Sequence, residues 1–120
     1  MGKLGLLGAM IPEEYGGSNM DTVALMIIHE EISYFDASMG LSYLTHAVLC
    51  MNNILANCND EQKNKFLPTL CNGNKIGAMG MSEANSGSDV LAMKTTATRN
   101  NDGFIINGRK MRSDGISLAP

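Results

Sequence analysis

The residues with the most chemistry within reach lie in one stretch, Gly80-Met81-Ser82-Glu83-Ala84-Asn85-Ser86-Gly87-Ser88-Asp89-Val90-Leu91-Ala92. An apolar run, Ile76 to Met81, leads into a cluster of small polar residues. That order predicts a short buried strand opening into a loop of exposed amides and hydroxyls. Gly87 has no Cβ, so a ligand can approach its backbone, and Ser82, Ser86 and Ser88 donate hydrogen bonds while filling little space. Successive N–H groups in such a loop can form a concavity for an anion. The plainer alternative is a strand followed by an ordinary Ser/Asn/Gly turn.

Other candidate groups point away from chemistry. Glu30 and Glu31 are adjacent, and neighbours on a helix do not face one another, so they read as a polar face or ion-pair partners. Cys50, Cys58 and Cys71 form no CxxC, and the two histidines have no ligand-like spacing, which argues against a metal site. Three free thiols suit a reducing compartment. The ten methionines read as fillers of irregular apolar gaps. His46 has no acidic neighbour to orient it and reads as a hydrogen-bonded core or interface histidine. With 120 residues, 44% of them hydrophobic, the chain is ordinary material for one modest domain. A net charge of −3 and scattered Lys and Arg give no footprint for nucleic acid or an acidic membrane. No run reaches the ~18 apolar residues of a transmembrane segment. The N-terminus reads as neither a secretory signal nor an Arg-rich transit segment.

The elements that must position the loop follow from pattern. Leu4 to Ile11 reads as the apolar end of an element, and Pro12 with Gly16-Gly17 marks a turn carrying Glu13, Glu14 and Tyr15. Asn19 or Asp21 can cap a helix reaching about Phe35. Its run Val23 to Ile28 is apolar throughout, which predicts burial on several sides. A second helix opens at Asp36 or Ser38 and ends near Ala56 or Asn57, with Leu41, Thr45, Val48-Leu49 and Asn52-Asn53 along one stripe. Spacing alone makes that stripe helix–helix core. Asn59 with Gln62 forms a capping pair for a third helix, kept short because Pro68 disfavours helical geometry at Leu67. A turn over Cys71-Asn72-Gly73-Asn74 precedes the strand at Ile76. Thr95 to Arg99 and Phe104 to Asn107 flank the hairpin turn Asn100-Asn101-Asp102-Gly103, and Arg109-Lys110-Met111 starts a third strand. The fold class is α+β, with a partial α-helical domain over 1–74 and the opening of a β-domain over 75–120.

The signature then adds a family. Gly80-Met81-Ser82-Glu83, two free positions, Ser86-Gly87-Ser88-Asp89, two more and Ala92 resemble the signature of the acyl-CoA dehydrogenases. Pro12-Glu13-Glu14-Tyr15-Gly16-Gly17 resembles a motif near the start of their first domain. Gly40-Leu41-Ser42-Tyr43, His46, Leu49-Cys50, Asn52, Gln62-Lys63, Leu67-Pro68, Ile76-Gly77-Ala78, Asn85 and Met93-Lys94 resemble the isovaleryl-CoA dehydrogenases of that family. The likeness runs from Leu4 to Met111. It implies an N-terminal helical domain followed by the first strands of the family's middle β-domain. It also implies FAD-dependent removal of two hydrogens from the α and β carbons of a short branched acyl-CoA, as in leucine breakdown. By the same resemblance Met79, Gly80, Met81, Ser82, Glu83, Ala84, Asn85, Ser86, Gly87 and Ser88 form the flavin-contacting stretch. Met81 and Ser82 would meet the flavin ring, and Gly87 and Ser88 its pyrophosphate. Ser88 would also contact the CoA arm, with Leu41 and Thr45 in the acyl wall. Thr45 stands where a smaller apolar residue is expected. Asp89 reads as a turn or cap residue. The resemblance implies a homotetramer in the mitochondrial matrix that passes electrons to electron-transfer flavoprotein.

Departures from the pattern set further expectations. Where the family carries a Trp, a β-branched residue and Thr, the chain reads Lys110-Met111-Arg112-Ser113-Asp114-Gly115 and contains no Trp. The spacing to Gly115 is one residue short; Arg112 would take the aromatic's place, Ser113 would replace a hydroxyl donor only in the matching register, and the tail Ile116 to Pro120 no longer resembles the family. The resemblance implies a catalytic carboxylate on a helix much further along, so Glu83 is not taken as the base and no residue here is assigned that role. The polypeptide alone is expected to be a cut-off chain without turnover. The competing readings are a non-catalytic truncation product serving as an interaction fragment and an acyl-CoA oxidase-type flavoenzyme of the same fold.

Overall fold

Side-chain caps set most of the helix starts. The computed structural model of the chain describes residues 1–111. Helix α1 spans Thr22–Phe35, and the Asp21 carboxylate accepts from the Ala24 amide at 2.8 Å. Asp36 ends α1 and caps α2 (Ala37–Tyr43), accepting from the Ser38 amide and hydroxyl at 2.8 Å and from the Met39 amide at 3.2 Å. The chain then turns on as a π-helical segment, Leu44–Met51, and as α3, Asn52–Asn57. Sequence periodicity gave no sign of the wider π turns. Within them the Thr45 hydroxyl donates back to the Leu41 carbonyl at 3.0 Å, a bond that competes with the helix's own ladder.

Helix α4 (Asp60–Cys71) opens with the expected reciprocal cap: the Asn59 side chain accepts from the Gln62 amide, and the Gln62 side chain accepts from the Asn59 amide. Pro68 does not shorten it, as the sequence had suggested; the helix runs three residues beyond. An interior proline costs about 3 kcal/mol. The last turn buries Leu67, Leu70 and Cys71, and each large apolar side chain buried contributes about 1.5–3 kcal/mol. Packing wins.

The described residues fall into two units, Met1–Met79 and 80–111. In the first, Ile11, Tyr15, Met51, Leu67, Leu70 and Cys71 form one apolar cluster. Leu7, Ala9, Leu25, Tyr43 and Ala47 form another. Leu4 closes a short 3-10 helix, Gly2–Leu4, and the rest of the run to Ile11 is irregular. The turns from Gly5 onward feed Leu7, Ala9 and Ile11 into those clusters. Helix α1 also departs from expectation: of its residues only Leu25 is buried, while Val23, Met26 and Ile27 are exposed. Ile28 and Ile32 lie partly buried against the same cluster as Leu25, so one stripe of the helix is covered, not its whole girth.

The second unit contains a two-stranded antiparallel sheet, β1 (Thr96–Asn100) and β2 (Gly103–Asn107), with Asn100 opposite Gly103. The turn falls where expected, and the Asn100 side chain accepts from the Asp102 amide at 3.1 Å. All ten strand residues are exposed. Arg109 to Met111 is no third strand among the described residues: the Met111 amide donates instead to the Ser82 carbonyl at 2.9 Å. Helices first and strands after give the α+β layout the sequence implied. No helix among the described residues is long and apolar enough to cross a membrane.

Candidate functional site

The loop from Gly80 to Asp89 is built around Glu83. Its carboxylate accepts from the Lys94 amide at 2.7 Å, from the Thr95 amide at 3.0 Å and from the Thr95 hydroxyl. Lys110 Nζ lies 3.0 Å from the same carboxylate and donates also to the Met81 carbonyl at 3.0 Å. The Glu83 side chain is 9% exposed and that of Lys110 27%. Two reciprocal backbone bonds between Glu83 and Ser86 close a tight turn over Ala84 and Asn85. The buried Ser86 hydroxyl donates to the Asp89 carbonyl at 2.6 Å. Two of the polar side chains in the candidate stretch are thus committed within the loop's own framework.

These bonds hold the Glu83 carboxyl at about 2, against an ordinary 4.5, with the Thr95 hydroxyl first, then the Lys94 amide and Lys110. A depressed carboxyl pKa stabilises the fold fully above the unfolded value and loses that contribution as the folded form takes up its proton. Stability of this unit is therefore expected to fall from about pH 4.5 toward pH 2. A Glu83→Gln chain, lacking the titrating group, should be flatter across that window when unfolding is followed by amide signals of β1 and β2. Equal acid sensitivity in both chains would refute the assignment.

Among the described residues, no acceptor takes the amide of Met81, Ser82, Gly87 or Ser88. Gly87 and Ser88 are exposed, and a Cβ built on Gly87 would meet nothing within 4 Å. Met81, Gly80, Ala84 and Asn85 are also exposed, with Ser82 half-buried. A cavity of about 570 Å³ lies in the same unit, bordered by Ala84, Asn85, Thr95, Arg109 and Lys110 among others. Amides without an acceptor among the described residues, flanked by small side chains, fit the phosphates and hydrogen-bonding edge of a flavin nucleotide. The Glu83 carboxylate oxygens already accept from Lys94, Thr95 and Lys110.

Met79 closes the other unit, where it is half-buried. The run Ile76 to Met81 forms no strand of its own among the described residues. The Gly77 amide that a ladder would need donates at 2.8 Å to His46 Nδ1. His46 is 2% exposed, and its Nε2 faces the Leu70 carbonyl at 3.3 Å, so it is the hydrogen-bonded core histidine the sequence suggested. Leu41 and Thr45 differ in environment. Leu41 is 55% exposed, whereas Thr45 is 1% exposed with its hydroxyl bonded to Leu41. Arg112 and Ser113, the candidates for the flavin-ring positions, lie outside the described residues. Sequence reasoning did not single out Thr95 and Lys110 as partners of the loop. No local pattern joins Glu83 to residues 12 and 27 positions away.

The profile of the family described as acyl-CoA dehydrogenase, N-terminal domain, matches residues 1–74. The chain is 48% identical to the mitochondrial isovaleryl-CoA dehydrogenase of Solanum tuberosum over 92% of its own length and 27% of that protein. It is 46% identical to the Bos taurus enzyme of the same name over 92% of its length and 26% of that protein. The chain therefore spans about a quarter of these relatives. Among solved structures, an acyl-CoA dehydrogenase complexed with FAD from Bacillus anthracis superposes with a TM-score of 0.86 at 40% identity, covering 93% of this chain and 19% of that one.

Proposed function

This chain belongs to the acyl-CoA dehydrogenase family, and from that premise we propose that it supplies the flavin-facing loop and part of the helical acyl wall of an FAD-dependent enzyme. The substrate is a short branched-chain acyl-CoA of the isovaleryl type, dehydrogenated between its α and β carbons. The observation that carries the reading is the 48% identity to an isovaleryl-CoA dehydrogenase along 92% of the chain. The amides of Met81, Ser82, Gly87 and Ser88, for which no acceptor lies among the described residues, support it. We assign 1–74 to the helical domain and the residues from 75 onward to the start of the β-domain.

FAD, when bound, supplies the hydride acceptor. The chain's part is to hold and orient. Met81 and Ser82 offer amide and hydroxyl donors to the ring edge, and rigid donors of this kind act most strongly where negative charge develops. Gly87 and Ser88 approach the pyrophosphate, and Ser88 also meets the CoA arm. Met79, Gly80, Ala84, Asn85 and Ser86 shape the same stretch. Leu41 and Thr45 belong to the acyl wall. Because the Thr45 hydroxyl is bonded to the Leu41 carbonyl, it leaves no orphan donor against an apolar acyl chain. None of the chain's carboxylates is assigned as the base. A homotetramer delivering electrons to electron-transfer flavoprotein in the mitochondrial matrix completes the proposal, in keeping with the mitochondrial names of the relatives.

The test is a graft. Residues 1–111 replace the homologous stretch of the Solanum tuberosum enzyme, and flavin content and anaerobic bleaching by isovaleryl-CoA are measured. The graft should stay yellow, bleach with isovaleryl-CoA and keep activity within about tenfold of the parent, a loss of roughly 1.4 kcal/mol in transition-state stabilisation. A folded tetramer that carries no flavin would overturn the reading.

A further inference from the structure

Glu83 lies inside the stretch assigned to the flavin, yet its bonds run elsewhere. Its carboxylate holds Lys94 and Thr95, just before β1, and Lys110, just after β2. Lys110 in turn holds the Met81 carbonyl, and the Met111 amide holds that of Ser82. Both ends of the hairpin are thereby tied to three consecutive residues of the loop. At the hairpin base a Cβ on Gly108 would overlap the Thr95 side chain, so the two ends are already close-packed.

We propose that Glu83 is a positioning residue, paired with Lys110 as a clamp that fixes the Met81–Ser82 backbone against the hairpin ends and so sets the direction of the amides offered to the cofactor. The clamp rests on geometry within this unit; its consequence for FAD rests on the function proposed above. A carboxylate with so many donors converging on it has no face left for a nucleotide, and a negative charge there would repel phosphate if it were free. Lys110 removes that repulsion while supplying the second tether.

The experiment uses the full 120-residue chain, ¹⁵N-labelled, as wild type, Glu83→Gln, Glu83→Ala and Lys110→Met. Amide exchange is read at Lys94, Thr95 and Met111, with Gly77 of the other unit as the internal control, and FAD affinity is read by titrating the Solanum tuberosum graft that carries the same substitutions. Glu83→Ala should speed exchange at Lys94, Thr95 and Met111 by at least about tenfold and leave Gly77 unchanged. Glu83→Gln, which keeps one acceptor oxygen, should fall between Glu83→Ala and wild type. Lys110→Met should speed Met111, and adding it to Glu83→Ala should bring little more, since the two act as one unit. FAD affinity should drop at least about tenfold in Glu83→Ala. Wild-type exchange rates in Glu83→Ala overturn the clamp. Fast exchange with undiminished FAD affinity overturns its positioning role. A graft without these substitutions that takes up no FAD counts against the proposed function, and the exchange rates then decide the clamp without it.

Discussion

A Gly17→Ala chain is expected to lose about 3 kcal/mol of stability, from overpacking and a broken hydrogen bond together. The added methyl would overlap the Ile11 carbonyl and lie 2.6 Å from the Ile11 Cβ. Ile11 cannot simply move aside: it is 1% exposed in the cluster with Tyr15, Met51 and Leu67, and its carbonyl accepts from the Asn19 amide at 3.0 Å. Relief must come from breaking that bond or displacing the core. The adjacent Gly16 gives the internal comparison. Its φ of 82° disfavours a side chain, but a Cβ there would meet nothing closer than 4.0 Å. Gly16→Ala should therefore cost only about 1–2 kcal/mol, the penalty of the left-handed region. Urea unfolding of the two chains checks the order. A Gly17→Ala midpoint equal to wild type, or higher than that of Gly16→Ala, would refute this account. With total stabilities of about 5–15 kcal/mol, the larger loss is enough to lower the yield of folded chain.

The comparison also shows which features were legible in sequence. Gly16-Gly17 was readable as a turn, because glycine pairs after a proline are punctuation. The close approach to Ile11 was not, since it depends on how the turn folds back. Asp21, the Asn59–Gln62 pair and the hairpin around Asn101-Asp102 were legible for the same reason: each closes its bonds within a few residues. What failed was set by distant partners. Val23, Met26 and Ile27 are apolar, and pattern records that property but not whether anything lies over them. Pro68 obeyed a local rule in expectation and a packing term in fact. Among the described residues the run from Ile76 reaches no further than one bridge residue, Met79, and His46, 31 positions earlier, takes the Gly77 amide. In the candidate site the small, open residues were readable as such. The structural employment of Glu83 was not, for its partners begin 11 positions downstream.

Replacing His46 should have a comparably large effect and a distinctive pH signature. Gly77 donates to Nδ1, so the ring's proton sits on Nε2, facing the Leu70 carbonyl. One neutral tautomer thus satisfies two backbone groups on separate segments. A Cβ on Gly77 would lie 2.5 Å from Cys50 Sγ and 3.4 Å from Nδ1, so this approach also requires glycine. His46→Ala removes the ring from a buried site and orphans both backbone groups, a loss of about 4 kcal/mol. Burial pushes the His46 pKa down, against a smaller upward pull from the Leu70 carbonyl. Below pH 6.5, the ordinary value, the unfolded chain binds a proton that the folded chain resists. Stability should therefore fall with decreasing pH, by at most about 1.4 kcal/mol per unit, until the folded pKa is reached. His46→Asn keeps an acceptor for Gly77 but has nothing to titrate, and it leaves His29 in place, so the difference between the two curves isolates His46. Urea unfolding at pH 7.5 and 5.5 should show wild type losing stability faster on acidification than His46→Asn. The same acid slope in both chains would mean that the buried imidazole is not the group being protonated, and the link from α4 through His46 to Gly77 would lose its physical basis.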